Sequence, residues 1–420
     1  MSKKPHIVII GAGFGGLAAA KKLAGENVDI TIVDRVNYHL FQPLLYQLST
    51  AVLSTDDISY PIRAMFRDNR NVELFMAKVT HIDGAHNTVH TNHGDITYDY
   101  LVVAAGAKTN FFGMENVMKY SYGMKTIQEA LHIRNHTLHM FERANKQQDD
   151  EAERRRMLTF VCVGGGPTGV EEAGALAELV AVQRKEYPNL NFDEVSIKLI
   201  EATDKILPMM PPNLRQHTIN VLESKGVEVM INTQVADCSQ DDLTLKDGTV
   251  IPTRTVIWAA GVRAHDVAAT IGTECDRAGR IKVGPTLQVP GYPNIFAIGD
   301  NAHFEQGGRP LATVAPVAIQ QANLAATNIR HLVRGESQLE DFVYHDHGSM
   351  ATIGRCQAVV NWGFLKIGGF FAWCIWMFLH LLRLEGFHAD VTVGTKWMWN
   401  FLSGTRLGRI ITNINLEDEA

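Results

Sequence analysis

Six glycines fall into two copies of one spacing, Gly11, Gly13 and Gly16 in IIGAGFGGL and Gly164, Gly166 and Gly169 in CVGGGPTGV. A chain without side chains at these points can turn tightly and bring its amides against a pyrophosphate, at a helix start whose unpaired N–H groups favour an anion. Each copy is followed by an acid closing the next apolar run, Asp34 in ITIVD and Glu201 in IKLIE. A carboxylate there accepts hydrogen bonds from an adenosine ribose. One glycine fingerprint is weak, but strand, helix and terminal acid twice over predict two bound dinucleotides. Glu201 also selects between nucleotides. It accepts from a free 2′-hydroxyl and repels a 2′-phosphate, so the second cradle should take NADH over NADPH.

The elements that must hold these residues follow from the pattern. Ile7 to Ile10 is a short buried strand, Leu17 to Leu23 the helix after the turn and Ile30 to Val33 the next strand. Thr159 to Val163, Val170 to Val182 and Val195 to Ile200 repeat that βαβ unit. Ile295 to Ile298, followed by Gly299 and Asp300, restores the character of the first unit after the second ends. The expected class is therefore α/β, with two Rossmann-like units and the second inserted in the first. The expected spans are 1–115 and 275–345 for the first, 116–274 for the second and 346–420 for a C-terminal segment. Glu142 to Met157 is a polar connection whose Arg154, Arg155 and Arg156 form a solvated face. A net charge of −6 provides no basic field for nucleic acid. Cys162, Cys238, Cys275, Cys356 and Cys374 are odd in number and contain no CxxC pair, which argues against a disulfide framework and against a metal site. Met1 to His6 leads straight into the first strand, so neither a signal peptide nor a transit sequence is expected and the chain should face the cytosol.

Leu101 to Gly106 (LVVAAG), Val256 to Gly261 (VIWAAG) and Ile295 to Asp300 (IFAIGD), together with the cradles, resemble the two-dinucleotide-binding-domain flavoproteins of glutathione-reductase type. The resemblance implies FAD in the first cradle, NADH in the second, and Asp300 against the ribityl and pyrophosphate part of FAD. It also places Phe14, Gly15, Arg35, Gln42, Val79, Ala105, Gly106, Gly299, Val317 and Ala318 with the flavin cofactor and Pro167, Thr168 and Gly261 with the nucleotide. Disulfide reductases of this group need two cysteines after the first cradle. Tyr38 to Ala51, YHLFQPLLYQLSTA, has none and instead resembles the segment that type II NADH:quinone oxidoreductases carry beside the flavin, with Gln42 and Gln47 as its polar members. An aromatic and leucine-rich core loop is the plainer reading of the same residues. GGGPTGVE, with Glu171, and VAPVAIQQANLAATNI extend the similarity over nearly the whole chain.

That family's quinone motif, AQxAxQ, falls on Ala315, Pro316, Val317, Ala318, Ile319 and Gln320, with proline in place of the first glutamine. Pro316 suits a first helical turn, and free N–H groups of that turn would favour negative charge on a reduced flavin. The resemblance implies Glu171, Gln320 and Gln321 as the catalytic residues. Hydride would pass from NADH to FAD, and two electrons would go on to a quinone without proton pumping. Two alternatives stay open. One is a sulfide:quinone oxidoreductase, for which Cys162 and Cys356 are the available cysteines, although Cys162 sits in an apolar strand. The other is a redox-sensing protein that holds NADH and FAD and turns over slowly.

Five of the six tryptophans lie from Trp362 onward. Ile367 to Leu379 is uncharged and apolar, but as a helix it reaches only about 20 Å against a hydrocarbon core of roughly 30 Å, too short to span. Trp397, Met398, Phe401 and Leu402 share a helical face with Lys396 and Asn400 opposite, and Arg406 and Arg409 follow. This predicts an interfacial helix on the membrane surface. A subunit interface, and so a homodimer, is the other use for such a segment. The expectation is a peripheral protein on the cytoplasmic face of an inner cell membrane, meeting a lipid-soluble quinone there.

Overall fold

A computed structural model describes residues 4–147 and 149–412. They form two compact units, the first within Met1–Leu40, Ser59–Lys108 and Val262–His347 and the second within Phe41–Ile58, Thr109–Gly261 and Gly348–Ala420. The sequence placed Phe41–Ile58 with the first unit and 346–420 in a segment of its own. Phe41–Ile58 and the described residues from Gly348 onward instead pack as parts of the second, because their apolar and charged side chains find partners on its helices.

The first unit is built on a six-stranded sheet in the order Gln288–Val289, Tyr292–Ala297, Tyr100–Val103, His6–Ile10, Asp29–Asp34, Val72–Met76. All neighbours run parallel except the first pair. Both sheet faces are covered, which is why the central strands are runs of Ile and Val instead of alternating with polar residues. Ile7 and Ile9 pack with Leu17, Leu23, Ala322 and Ala326 from the helices Phe14–Leu23 and Ala315–Val333. Val8 and Ile10 point to the other face, among Val79, Val89 and Ile271. Register then does the functional work. Ile10 lies opposite both Val33 and Val103, and Val103 opposite Ala297, so the segments beginning at Gly11, Asp34, Ala104 and Ile298 emerge along one sheet edge. Open α/β sheets bind ligands at that edge.

The second unit repeats the device in five parallel strands, ordered Tyr122–Gly123, Thr255–Trp258, Thr159–Val163, Ser196–Ile200, Val227–Met230. Val163 pairs with Ile200 and Trp258, bringing Gly164, Glu201 and Ala259 to one edge. A three-stranded antiparallel sheet, Ser349–Gly354, Gln357–Asn361 and Lys366–Gly369, packs against the helix Pro167–Gln183. The approach is so close that a Cβ on Gly174 would sit 2.2 Å from the Ile353 carbonyl oxygen. The helices Phe370–Leu381 and Phe387–Ser403 follow.

Two expectations need correction here. Ile367 to Leu379 is not one helix: Lys366–Gly369 pairs as a strand with Gln357–Asn361, and Gly369, at φ +90°, turns the chain into the helix Phe370–Leu381. Nor is the arginine triplet merely solvated. It closes a helix, Glu151–Met157, in which Asp150 accepts from Glu153 N, and Arg154 reaches the buried Glu194 through Nε and Nη2 at 2.6 and 2.8 Å.

Candidate functional site

In the first unit the cradle is closed by backbone where closure is needed and open where a ligand would lie. Gly11 has φ +96°, and a Cβ there would fall 2.3 Å from the Ala104 carbonyl oxygen; one on Gly16 would fall 1.8 Å from that of Gly11. Around Gly13 there is nothing within 4 Å. Gly13 caps the helix Phe14–Leu23 without a side-chain bond, and no acid stands in the first turn, so its amides are available to an anion. Asp34 has a task the sequence did not disclose. Its Oδ2 accepts from Ala12 N at 2.7 Å and its Oδ1 from Val36 N at 3.0 Å, so it braces the turn while keeping lone pairs for a ribose.

Three other residues hold this edge. His39, buried, meets the Ala12 carbonyl through Nδ1 at 2.8 Å and the Phe14 ring edge-on. Asn301, also buried, brackets Gly106, accepting from its N at 2.9 Å and donating to its O at 3.0 Å. Sequence reasoning missed both; an Asn directly after the GD pair was the one available signal. Gln321, expected among the catalytic residues, is buried and accepts from Gly299 N at 2.7 Å, which fixes the turn leading to Asp300. Gln320 is half-buried, and its amide is engaged at both ends by His345, donating to O at 2.9 Å and accepting from N at 3.0 Å. Val317 and Ala318 are buried, Ala318 packing on Gly299 and Gly15. Ala105 and Gly106 are half-buried after the Tyr100–Val103 strand, Val79 is buried, and Arg35 is exposed beside Asp34. Gln42, expected at the flavin, is exposed on a short turn of the second unit.

The second cradle copies the first. A Cβ on Gly164 would lie 2.5 Å from Ala259 O and one on Gly169 1.9 Å from Gly164 O, while Gly166 is open. Pro167 opens the helix, Thr168 is exposed on it, and Gly261 closes the adjacent strand end at φ +154°. Glu201 Oε2 accepts from Gly165 N at 2.6 Å, and Oε1 from Thr203 N and Oγ1, each at 2.8 Å. As with Asp34, the acid grips the residue after the first glycine and keeps spare acceptor capacity on the outer side.

The helix of this cradle carries Glu171 into a buried polar group. Burial pushes the Glu171 carboxyl up to about 8, offset in part by Thr352 N at 3.3 Å. Burial and then the Glu171 charge hold the Tyr46 phenol well above its usual range. Trp397 Nε1 can only donate, and it donates to Gln47 Oε1 at 2.6 Å; Gln47 Nε2 therefore faces Tyr46 Oη, at 2.7 Å. Arg406, fully buried, donates to Thr50 O at 2.7 Å and to Glu178 Oε2 at 3.1 Å. Burial alone would raise Glu178, but Arg406 and Lys225 outweigh it and hold that carboxyl low. Tyr46, Gln47, Trp373, Trp376, Trp397 and Arg406 line part of one half-open cavity. Trp397 and Arg406 thus correct the expectation of a purely interfacial C-terminal helix: both point inward, and Lys396 pairs with the buried Asp57 at 2.6 Å. None of the five cysteines is paired, and Cys162 is fully buried. Among the described residues no group of metal-ligating side chains converges.

Residues 5–322 match the family described as pyridine nucleotide-disulphide oxidoreductase. The chain is 41% identical to the type II NADH:quinone oxidoreductase Ndh of Mycobacterium tuberculosis, over 97% of this chain and 90% of that protein. It is 32% identical to the type II NADH:quinone oxidoreductase of Staphylococcus haemolyticus, over 85% and 89% respectively. The fold matches that of NDH2 from Plasmodium falciparum in complex with NADH, with a TM-score of 0.90 at 21% identity, covering 98% of this chain and 100% of that one. With two braced dinucleotide cradles and no cysteine pair, the chain belongs to the type II NADH:quinone oxidoreductases, within the pyridine nucleotide-disulphide oxidoreductase family.

Proposed function

We propose that the chain oxidises NADH and reduces a quinone admitted through the aromatic cavity of the second unit, with the C-terminal helices resting on a membrane. FAD, when bound, supplies the two-electron chemistry that joins the halves. The first cradle would hold its pyrophosphate on the amides after Gly13 and its ribose on Asp34; the second would hold NADH on the amides after Gly166, with Glu201 as the ribose acceptor. The observation that carries the acceptor side is the cavity itself, an aromatic wall with Gln47, Tyr46 and Arg406 as convergent polar groups. That suits a flat ring bearing carbonyl oxygens. The outer faces of the two C-terminal helices support the membrane reading. Phe371 is 77% exposed, Phe378 61%, Leu382 65% and Leu402 71%. No helix among the described residues is long and apolar enough to cross a membrane. Such a face suits insertion into the headgroup boundary, and a second copy of the chain is the other occupant it fits.

The test is NADH oxidation by the FAD-loaded protein with a soluble quinone and, separately, with sulfide as donor. The expected outcome is turnover with NADH and quinone and none with sulfide. Sulfide-driven quinone reduction, or NADH reduction without quinone turnover, would overturn the reading. Trp373→Ala should raise the quinone KM while leaving flavin reduction by NADH unchanged.

A further inference from the structure

Glu172, the residue after Glu171, is not explained by either cradle. It is fully buried on the helix Pro167–Gln183, and its Oε2 lies 2.7 Å from the Ser49 hydroxyl. Ser49 ends the short helix Leu45–Ser49 that carries Tyr46 and Gln47, and it too is buried. The same hydroxyl lies 2.9 Å from the Tyr46 carbonyl oxygen, which already accepts from Thr50 Oγ1 at 2.6 Å. A hydroxyl has one proton and a carbonyl oxygen has none to give. If Ser49 donated to Glu172, its lone pairs would face the Tyr46 oxygen at contact distance. Both contacts are satisfied only when Ser49 donates to Tyr46 and Glu172 donates to Ser49, which requires a proton on Glu172. The second oxygen agrees. Glu172 Oε1 is buried and has no partner among the described residues, a severe cost for a carboxylate and a mild one for the carbonyl oxygen of an acid.

The neighbours of Glu172 leave that proton in place. Cys162 faces it from the strand Thr159–Val163, and Glu171 and Glu178 share its own helix. Among the described residues Arg406 is the cation that favours ionisation, and its side-chain bonds go to Glu178 and Thr50. Burial outweighs both Ser49 and Arg406 and pushes the Glu172 carboxyl up to about 8.

We propose that Glu172 is a positioning residue for the quinone half-reaction, a neutral carboxylic acid whose donated hydrogen bond to Ser49 fixes the helix bearing Tyr46 and Gln47 in the cavity wall. The part that concerns quinone rests on the reading that quinone uses this cavity. Above its ionisation point Glu172 loses its proton to solvent, the donor disappears, and the helix end is released.

Infrared spectra of the FAD-loaded protein between pH 6 and pH 10 test the acid directly. Glu172→Gln should delete one protonated-carboxyl band, and Ser49→Ala should keep that band but move it to higher wavenumber, since its hydrogen bond is gone. In parallel, Ser49→Ala should raise the soluble-quinone KM severalfold without changing the rate of flavin reduction by NADH. Glu172→Gln, which keeps a neutral donor, should hold the wild-type KM and abolish its rise above pH 8. The proposal is overturned if Glu172→Gln removes no band at pH 6, if Ser49→Ala does not move it, or if Ser49→Ala leaves the quinone KM unchanged while Trp373→Ala raises it. If Trp373→Ala also leaves the KM unchanged, the cavity is not the quinone path, the positioning role falls with it, and the infrared result still decides the protonation state.

Discussion

Glu201 shows how one carboxylate can serve the fold and the ligand together. It anchors Gly165 and Thr203 and still presents spare lone pairs, so its charge matters twice. Glu201→Gln must turn its NH2 toward a backbone donor and lose at least one of these bonds, at about 1–3 kcal/mol of local stability. The NADPH-to-NADH ratio of kcat/KM should nonetheless rise, because the 2′-phosphate no longer meets an anion; an unchanged ratio would remove Glu201 from nucleotide selection. Glu171 carries a pH prediction. Its folded-state value of about 8 exceeds the ordinary carboxyl value of 4.5, so between those values the folded chain binds more proton than the unfolded one. Its contribution to stability is therefore complete below about pH 4.5 and is lost as pH rises toward 8, with a limiting slope of about 1.4 kcal/mol per pH unit for one group. Glu172 behaves alike, so Glu171→Gln should roughly halve the fall in Tm between pH 5 and pH 8 rather than abolish it. Equal falls in the two proteins would contradict the burial argument.

At the scale of elements, the C-terminal segment is pinned by its charges as well as by its aromatic rings. Arg406 inserts between the helix Leu45–Ser49, through Thr50 O, and the helix Pro167–Gln183, through Glu178. Removing one member of a buried pair costs about 3–5 kcal/mol. Glu178 keeps Lys225, at 2.7 Å, so Arg406→Met should fall near the lower end of that range. Limited proteolysis should then cut after Ser403 well before the unit unfolds; simultaneous loss of all fragments would show that Arg406 does not hold the segment separately. The helix Ala315–Val333 carries the other element-scale prediction. His345 engages the Gln320 amide at both ends, which fixes its orientation and leaves one N–H and one carbonyl lone pair for a further partner. Stopped flow on Gln320→Leu should show reduction by NADH nearly unchanged and reoxidation by quinone slowed. Slowing of the reductive step alone would place this helix on the nicotinamide side.

At the scale of the whole chain, the membrane reading concerns the exposed faces of the last two helices, not the segment as a block. Truncation after about His345 would remove Thr352, Trp397 and Arg406 from the second unit as well and so disturb Glu171, Gln47 and Glu178. The cleaner variant is Phe371→Ser with Leu402→Ser, both strongly exposed. It should weaken liposome flotation while leaving flavin reduction by NADH intact, and undiminished flotation would send the membrane contact elsewhere. Sequence alone determined the cradles, because glycine spacing, an apolar strand and a terminal acid are local signals whose geometry is set within one βαβ unit. It determined the family as well, through motifs spread along the chain, and the absence of a cysteine pair. Tertiary structure decided what each polar side chain does. Gln321 and Asn301 brace turns, Gln320 holds His345, and Trp397 and Arg406 turn inward where an amphipathic pattern suggested a lipid-facing helix. The physical reason is that periodicity reports which face of an element is apolar, while the partner of that face, and the single proton between Ser49 and Glu172, depend on residues more than a hundred positions away.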